Sequence, residues 1–332
     1  MKFHVFIATL CFAIGLSSCQ QKSNKSIEPA QSRSILPPST GHLSELVVVV
    51  SDELWRGEVG ALLKASFQEN IQAIPQQEAL FDLFAINSSE FSRIFKTHKN
   101  ILWVSKGNSA SIERKDQKWA KNKLYVHVQA GSETQLITSL QKNILEIRSW
   151  YLERNTKRRL SKLKIDSEKE IQNQISDAYQ VDLIIPNGYG VAEVEDSFIW
   201  LRRDHPKLNL ISNIWLHIED YKSPKQFSKQ RLIQLRDSLG MAHVEGVKPH
   251  SFMTTELIYD PDYELVNEVP YTIVTKGLWT MVNDFLGGSY TAKIILDEEN
   301  QRVVYIEGFL YCPNERKRSH IQELEAVISS FH

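Results

Sequence analysis

Between residues 43 and 178 the apolar positions follow two alternating patterns. Unbroken apolar runs, such as residues 46–50, alternate with stretches in which apolar residues recur every three or four positions. The runs predict strands buried on both faces of a sheet, and the longer spacing predicts amphipathic helices. We therefore predict an N-terminal α/β domain with a mixed sheet over residues 43–178, ending in a long charged helix.

From residue 179 onward, apolar and polar residues alternate along segments of strand length. These segments are residues 198–203, 209–218, 252–259, 271–278, 290–296 and 303–311. Such alternation indicates strands that face a core on one side. Ile321, Leu324 and Ile328 recur at helical spacing near the C-terminus. We predict a C-terminal α+β domain over residues 179–332, an antiparallel α-β-α sandwich whose closing helix packs on the even-numbered residues of strand 303–311.

The first 42 residues follow neither pattern. Residues 3–16 are almost wholly apolar, and Leu16-Ser17-Ser18-Cys19 ends the run with small residues before a cysteine. This layout predicts a signal peptide over residues 1–18, because the apolar run is too short to span a bilayer. The L-x-x-C pattern resembles the lipobox of bacterial lipoproteins, which implies that Cys19 carries the lipid. Residues 19–42 are polar and predict a disordered tether.

The residue after the cysteine bears on localisation. Gln20 stands where an aspartate would be expected in a lipoprotein retained at the inner membrane, so the pattern resembles sorting to the outer membrane. No acidic cluster follows it. We expect a protein that is anchored by lipid to the periplasmic face of the outer membrane, with the bilayer as one partner.

Composition narrows the classes of partner. The formal net charge is −1 and 42% of the residues are hydrophobic, so no global positive field favours nucleic acid. The chain has three cysteines, Cys11, Cys19 and Cys312. Only Cys312 stays free after cleavage and lipidation, and an intramolecular disulfide is excluded in the mature protein.

No recognised reaction or metal motif occurs in the chain. Nucleophile elbows, phosphate-binding glycine loops and H-E-x-x-H are all absent from the sequence. Two sets of potential ligands lack a recognised spacing: His243, Glu245 and His250, and Asp260, Asp262 and Glu264. We expect no cofactor, no metal and no catalytic residue.

One face of the C-terminal sheet is expected to be aromatic with polar tips. Nine residues are candidates for binding there: Arg202, Arg203, Trp215, His217, Glu256, Trp279, Tyr305, Phe309 and Tyr311. Helices, the first domain or a ligand could cover this face. The two arginines either fork onto a carboxylate or phosphate, or pair within the fold with Glu256 or Asp237.

A basic run lies in the charged part of the long helix. Its members are Lys157, Arg158, Arg159, Lys162 and Lys164. A solvated helix between the domains is favoured over attraction to anionic lipid, because charge runs usually face water.

Two resemblances cover most of the chain. The succession of turn, antiparallel strands and closing helix over residues 180–332 resembles the PsbP/Mog1-like fold, which implies binding and accessory roles. Motifs such as Trp200-Leu201-Arg202-Arg203 and Gly277-Leu278-Trp279 resemble a family of uncharacterised envelope lipoproteins of Gram-negative bacteria, a domain-of-unknown-function family. That family has no assigned activity, so no catalytic residue can be transferred.

These observations favour a non-catalytic binding or assembly factor of the envelope, with an envelope protein as its partner. The alternative is an envelope hydrolase whose site lies at the domain junction and is built from residues distant in sequence.

Replacing Cys19 with Ala should abolish incorporation of labelled palmitate, because the acceptor for the lipid is gone. The variant should be soluble or keep its signal peptide. Cys11→Ala, which alters a cysteine of the signal itself, should still be labelled. Labelled fatty acid on the Cys19→Ala protein would contradict the assignment.

Overall fold

A computed structural model describes residues 36–266 and 269–331 of the chain. The predicted signal peptide, Cys19 and the first part of the tether lie outside the described residues. In the described part, no helix is both long and apolar enough to cross a membrane.

The N-terminal half forms a mixed five-stranded sheet. Its strands are β1 (Glu45–Val49), β2 (Asp82–Ile86), β3 (Asn100–Lys106), β4 (Ser111–Asp116) and β5 (Leu124–Ala130). They lie in the order β2-β1-β3-β5-β4, and β4 alone among them is antiparallel to its neighbour. The predicted mixed sheet is therefore confirmed, with β4 as an additional edge strand.

Helices cover one face of this sheet. They are α1 (Asp52–Arg56), α2 (Glu58–Phe67) and α4 (Glu133–Ile165). A four-residue helix, α3 (Arg93–Lys96), lies between β2 and β3. Ser51 and Ser132 cap α1 and α4 by accepting hydrogen bonds from backbone N–H groups of the first turn. Leu140, Ile147 and Tyr151 of α4 are fully buried against the sheet, so the apolar stripe determines how the helix docks.

The C-terminal half is an antiparallel sheet. Its strands are β6 (Gly190–Glu195), β7 (Phe198–Asp204), β8 (Ile211–Asp220), β9 (Phe252–Glu256), β10 (Asp262–Val266), β11 (Thr272–Val282), β12 (Gly287–Asp297) and β13 (Arg302–Tyr311). The main order is β10-β11-β12-β13-β8-β7-β6, with β9 also paired to β11. Sequence alternation missed β10, which is short, charged and at the edge.

Both faces of the second sheet are covered. The remaining helices are α5 (Lys169–Tyr179), α6 (Lys229–His243) and α7 (Arg318–Ser329). Helices α5 and α7 pack on one face, and α6 packs on the other. The chain is thus α+β, with a mixed sheet followed by an antiparallel sheet between helices, as predicted.

Two predicted boundaries differ from the structure. Ile175 and Tyr179 of α5 are buried in the core of the second sheet, so the N-terminal unit ends near α4 and not at residue 178. Thr40 donates its backbone N–H to the carbonyl oxygen of Thr97 at 2.8 Å, so the last tether residues are bound to the fold. Both corrections arise from tertiary contacts that local composition does not encode.

Truncating Leu324 tests the docking of α7. Leu324 is 1% exposed, and a Cβ placed on Gly308 would lie 2.9 Å from the Leu324 Cβ. Leu324→Ala should lower the free energy of unfolding by about 2–4 kcal/mol, measured by urea denaturation, because a cavity is left in a close-packed core. The exposed Leu145 provides a control, and Leu145→Ala should change stability by less than about 0.5 kcal/mol. An equally small loss for Leu324→Ala would mean that α7 does not dock as described.

Candidate functional site

The aromatic face of the C-terminal sheet is a packed core. Trp215, Tyr305 and Phe309 are only 0, 1 and 2% exposed. Helix α6 covers them, and the ring centroids of Trp215 and Phe309 lie 4.8 Å apart. Of the alternatives that the sequence left open, the molecule's own helix covers these three aromatics, so they do not form an exposed binding face.

A buried ion pair lies in the same core. Arg236 of α6 donates from Nη2 to Oε1 of Glu307 at 3.1 Å, and both side chains are 2% exposed or less. Its guanidinium lies 4.1 Å from the ring centroid of Tyr290, and the Tyr305 hydroxyl donates to Glu307. A buried charge without its partner is strongly destabilising, so this pair specifies how α6 docks on the sheet. Sequence alternation placed Glu307 on this face but did not identify Arg236.

The other polar and aromatic candidates are held by separate contacts. Trp279 is buried and donates from Nε1 to the carbonyl oxygen of Leu310 at 3.1 Å. Glu256 accepts a hydrogen bond from the backbone N–H of Ile258 at 2.9 Å. His217 and Tyr311 are half-buried. Trp279 and Tyr311 pack in the same core as Trp215 and Phe309, and none of these contacts builds an open binding site.

The two candidate arginines pair within the fold, but not with the partners that were expected. Arg202 forks onto Asp204 with distances of 2.9 and 2.8 Å. Arg203 donates to Glu323 of α7 at 2.5 Å and lies 4.6 Å from the ring centroid of Tyr189. Glu256 and Asp237 were wrong as partners because strand register and α7 place other carboxylates nearer.

The basic run of α4 lines a pocket of about 460 Å³. Its walls come from the segment before β1, the turns before β3 and β5, the C-terminal half of α4 and one residue of α7. The lining residues are Ser39, Gly41, His42, Leu43, Lys99, Asn122, Arg158, Arg159, Lys162, Leu163 and Glu323. Four of these carry positive charge, and we call the pocket the basic pocket.

Arg158 is held rigidly in the wall of the basic pocket. Its guanidinium donates to the side-chain oxygens of Asn100 and Asn155 at 2.6 and 2.8 Å. It also donates to the backbone carbonyl oxygens of Lys99 and Asn122 at 2.8 and 2.6 Å. All four acceptors are neutral, so the hydrogen bonds orient the guanidinium without neutralising its charge.

The other cations of the basic pocket are also bound to neutral groups or left open to solvent. Lys99 donates to the carbonyl oxygen of Gly41 at 2.6 Å. Arg159 donates to Oε1 of Gln322 at 2.7 Å. Lys162 is exposed. The pocket therefore gathers positive charge whose hydrogen-bonding partners carry no negative charge.

One acidic side chain lies in the wall of the basic pocket, and Glu45 and Asp116 act on its cations from outside the wall. Glu323 is the one carboxylate in the lining, and it already accepts from Arg203. Burial, together with the neighbouring Arg154, lowers the pKa of Arg158 to about 10. Burial and the Arg158 charge lower the pKa of Lys99. Burial is the main cause of both shifts, so these two cations are partly removed from water, which strengthens their attraction for an anionic ligand.

The prediction of a solvated charged helix is only partly right. Lys157 and Lys164 are exposed. Arg158 and Arg159 are half-buried and line the basic pocket, and Arg159 also lines a second pocket beside α7. The signal was the spacing, since Asn155, Arg158 and Lys162 continue the buried stripe of α4 at intervals of three and four residues. A polar continuation of a buried stripe indicates a polar contact and not a solvated face.

A second pocket of about 350 Å³ lies between the two sheets and tests the hydrolase alternative. Its two carboxylates are both paired, Glu69 with Arg148 and Glu325 with Lys276. Both carboxylates of this pocket are therefore already engaged by cations of the protein itself.

A serine–histidine pair lies elsewhere in the fold. Ser105 Oγ and His127 Nε2 are 2.9 Å apart at the far end of β3 from the basic pocket. Burial lowers the pKa of His127. Glu113 lies directly across from His127 in the β4–β5 pair, but its carboxylate is bound to Lys115. The pair has the distance of a nucleophile and base but no free carboxylate to orient the imidazole.

Comparisons with known proteins describe each half separately. Residues 39–164 match a family model for a domain of unknown function (DUF8532), and residues 168–330 match a second one (DUF4837). The gap between the matches coincides with the end of α4. No curated protein matches.

Solved structures of Mog1 are similar to part of the chain. A point mutant of protein Mog1 and the Saccharomyces cerevisiae Ran-binding protein Mog1p are each 14% identical, with TM-scores of 0.30 and 0.31. Each match covers 46% of this chain and 89% of the Mog1 chain.

A buried lysine, Lys123, lies next to the basic pocket in the chain, and the effect of burial on its charge can be tested. Lys123 is 0% exposed, donates from Nζ to the carbonyl oxygen of Lys96 at 2.6 Å, and lies 4.5 Å from the ring centroid of Trp119. Burial, together with Lys118, lowers its pKa to about 7. The folded protein therefore favours the neutral amine.

Stability should rise with pH through the window that Lys123 defines. Between pH 7 and about pH 10 the unfolded chain binds a proton at Lys123 that the folded chain does not. The free energy of unfolding, from urea denaturation at several pH values, should gain up to about 1.4 kcal/mol per pH unit from this group. Lys123→Met should remove that contribution, whereas Lys121→Met, at an exposed neighbour, should leave the slope unchanged. An identical slope in wild type and Lys123→Met would contradict the assignment.

Proposed function

We propose that this chain is a lipid-anchored, non-catalytic binding protein of the bacterial envelope, and that it holds an anionic ligand in the basic pocket. The anchor is the lipid on Cys19, at the outer membrane and on its periplasmic face. The L-x-x-C pattern of residues 16–19 supports the anchor. The charge of the basic pocket supports the ligand class.

The observation that carries the proposal is the rigid, unneutralised charge of Arg158. Four hydrogen bonds to neutral oxygens orient its guanidinium, and Lys99, Arg159 and Lys162 line the same pocket. Preorganised cations bind anions without first having to be ordered, which favours affinity. A volume of about 460 Å³ is in the range of small-molecule sites.

The ligand chemistry that fits is a phosphate or carboxylate group. Arginine and lysine donors recognise both, and the donors here come from separate elements, as in a site that surrounds its ligand. The group could belong to a soluble phosphate or to the headgroup of an anionic phospholipid. Ser39 and Gly41 of the pocket wall belong to the predicted tether of residues 19–42, so they lie about 20 residues along the chain from the proposed lipid on Cys19. The pocket would therefore stay within reach of the bilayer.

The hydrolase alternative rests on the Ser105–His127 pair and not on the domain junction, where both carboxylates are paired. Binding ranks ahead because the basic pocket combines a cavity with oriented charge. At the serine–histidine pair, the one carboxylate opposite the imidazole is engaged by Lys115.

The experiment is calorimetric titration of the purified protein with inorganic pyrophosphate and, separately, with phosphatidylcholine vesicles that contain or lack phosphatidylglycerol. The Lys99→Gln/Lys162→Gln double variant removes two pocket charges and should weaken anion binding by about tenfold or more, since hydrogen bonds to charged groups contribute about 1.5–3 kcal/mol. The Lys157→Gln/Lys164→Gln variant loses the same charge from exposed positions of α4 outside the pocket and should bind within about twofold of wild type.

The titrations with pyrophosphate and with vesicles distinguish a soluble ligand from a lipid headgroup. Binding of pyrophosphate alone indicates a soluble phosphate ligand, and binding of phosphatidylglycerol vesicles alone indicates a headgroup. Absence of binding in both arms, or equal weakening in both double variants, would refute the basic pocket as the site.

A further inference from the structure

Three metal-ligating side chains converge at the edge of the C-terminal sheet, remote from the basic pocket in sequence. They are Glu193 and Glu195 of β6 and His243 at the C-terminal end of α6. One donor atom from each lies within 4.8 Å of one donor atom from each of the others. In the described part of the chain this is the one such group of three. Sequence reasoning placed His243 with Glu245 and His250, and the fold brings the two glutamates to it instead.

A β-bulge in β6 places the two glutamates. Val191 pairs with Leu201, but Glu193 pairs with Trp200, so Ala192 is an extra residue in the strand. Without the bulge, Val191 and Glu193 would share a face. The bulge turns Glu193 and Glu195 to the face of Trp200 and Phe198, on which α6 lies. Bulges frequently redirect side chains at functional positions on sheet edges.

The imidazole of His243 is fixed in orientation. Its ring stacks on Phe198 with centroids 3.9 Å apart and planes 14° apart. Its side chain is 9% exposed, and Nδ1 lies 3.1 Å from Oε1 of Glu193. The ring therefore cannot turn away from the glutamates without losing the stacking contact.

The donor spacing fits a first-row divalent metal ion. Zinc binds histidine nitrogen and carboxylate oxygen at about 2.0–2.2 Å, so two of its ligand atoms in a tetrahedral site lie about 3.3–3.6 Å apart. His243 Nδ1 and Glu193 Oε1 are hydrogen-bonded at 3.1 Å, so a shift of a few tenths of an ångström gives them the spacing of two zinc ligands. Glu195 is exposed, and one of its carboxylate oxygens lies within 4.8 Å of a donor atom of each of the other two residues.

Apart from His243, the described residues give the two carboxylates no cationic partner. Among residues 36–266 and 269–331, neither Lys nor Arg forms an ion pair with Glu193 or Glu195. Most other buried or half-buried acids of this sheet have one, such as Glu307 with Arg236 and Glu219 with Arg231. Like charges this close repel each other, and a bound cation removes that repulsion.

We infer that Glu193, Glu195 and His243 form a binding site for a divalent transition-metal ion, with Zn²⁺ as the representative. The nitrogen ligand favours Zn²⁺ over Ca²⁺, which prefers oxygen ligands alone. Three protein ligands leave coordination positions for water or for a group from another molecule. The ion links the edge strand β6 to the end of α6, so its binding stabilises the folded chain.

The test is calorimetric titration of EDTA-treated protein with ZnCl₂ and with CaCl₂, together with the thermal midpoint in the presence and absence of each ion. Wild type should bind one Zn²⁺ per chain and show a raised midpoint, with no comparable response to Ca²⁺. Glu195→Gln and His243→Ala should each lose both Zn²⁺ effects. Glu245→Gln and His250→Asn, which remove a carboxylate and an imidazole nearby, should keep them.

Comparing two variants separates loss of metal binding from loss of stability. His243→Ala loses the stacking contact with Phe198 and can lower stability by itself, whereas Glu195 is exposed and its Gln variant should unfold at the wild-type midpoint without metal. Pyrophosphate binding in the basic pocket should be unchanged in Glu195→Gln. Absence of Zn²⁺ binding in wild type, a stronger response to Ca²⁺, or full Zn²⁺ binding by Glu195→Gln would overturn the site.

Discussion

The rest of the structure depends on how the 33-residue helix α4 buries a single stripe in two different environments. Its first half presents Leu140, Ile147 and Tyr151 to the N-terminal sheet, where they pack in a dry core. Its second half continues the stripe with Asn155 and Arg158, which meet backbone carbonyl oxygens. Because buried polar groups must be hydrogen-bonded, these contacts specify where the turn before β3 and the segment before β1 pack against the helix. The same helix thus positions the sheet and builds the wall of a charged pocket.

Charge compensation separates structural arginines from the one that we assign to binding. Arg236 meets Glu307 in the second core, Arg203 meets Glu323, and Arg318 of α7 forks onto Asp82 of β2. Each of these pairs joins a helix to a strand, and each satisfies its charge within the fold. Arg158 has as many hydrogen bonds as any of them, but all to neutral oxygens. Within the described residues, Glu193 and Glu195 likewise form no ion pair with a lysine or arginine, and the metal site that we propose rests on that observation.

Most elements of regular structure were predictable because their signals are local. Buried strands such as β1 and β5 show apolar runs, and α4 has a capping serine and a stripe over several turns. The two missed strands, β4 and β10, are short edge strands with mixed charged sequences, because an edge strand needs neither two apolar faces nor a long run. The element that covers the candidate binding face could not be predicted, for a different reason. Alternation placed Trp215, Tyr305 and Phe309 on one face correctly, but a strand cannot encode whether a helix or a ligand covers it.

The sequence by itself determined the fold class, the residues that share the apolar face of each element, and the prediction of a lipid on Cys19. Each of these depends on residues that are close together in the chain. Only the tertiary structure decided which side chains meet. Arg158 meets Asn100 and Glu193 meets His243, across separations of 58 and 50 residues, and Trp215 lies beneath α6. The pairing of charges follows from distances between elements, and those distances are set by helix docking and by a strand bulge. Periodicity describes a face of one element, whereas a site requires the faces of several.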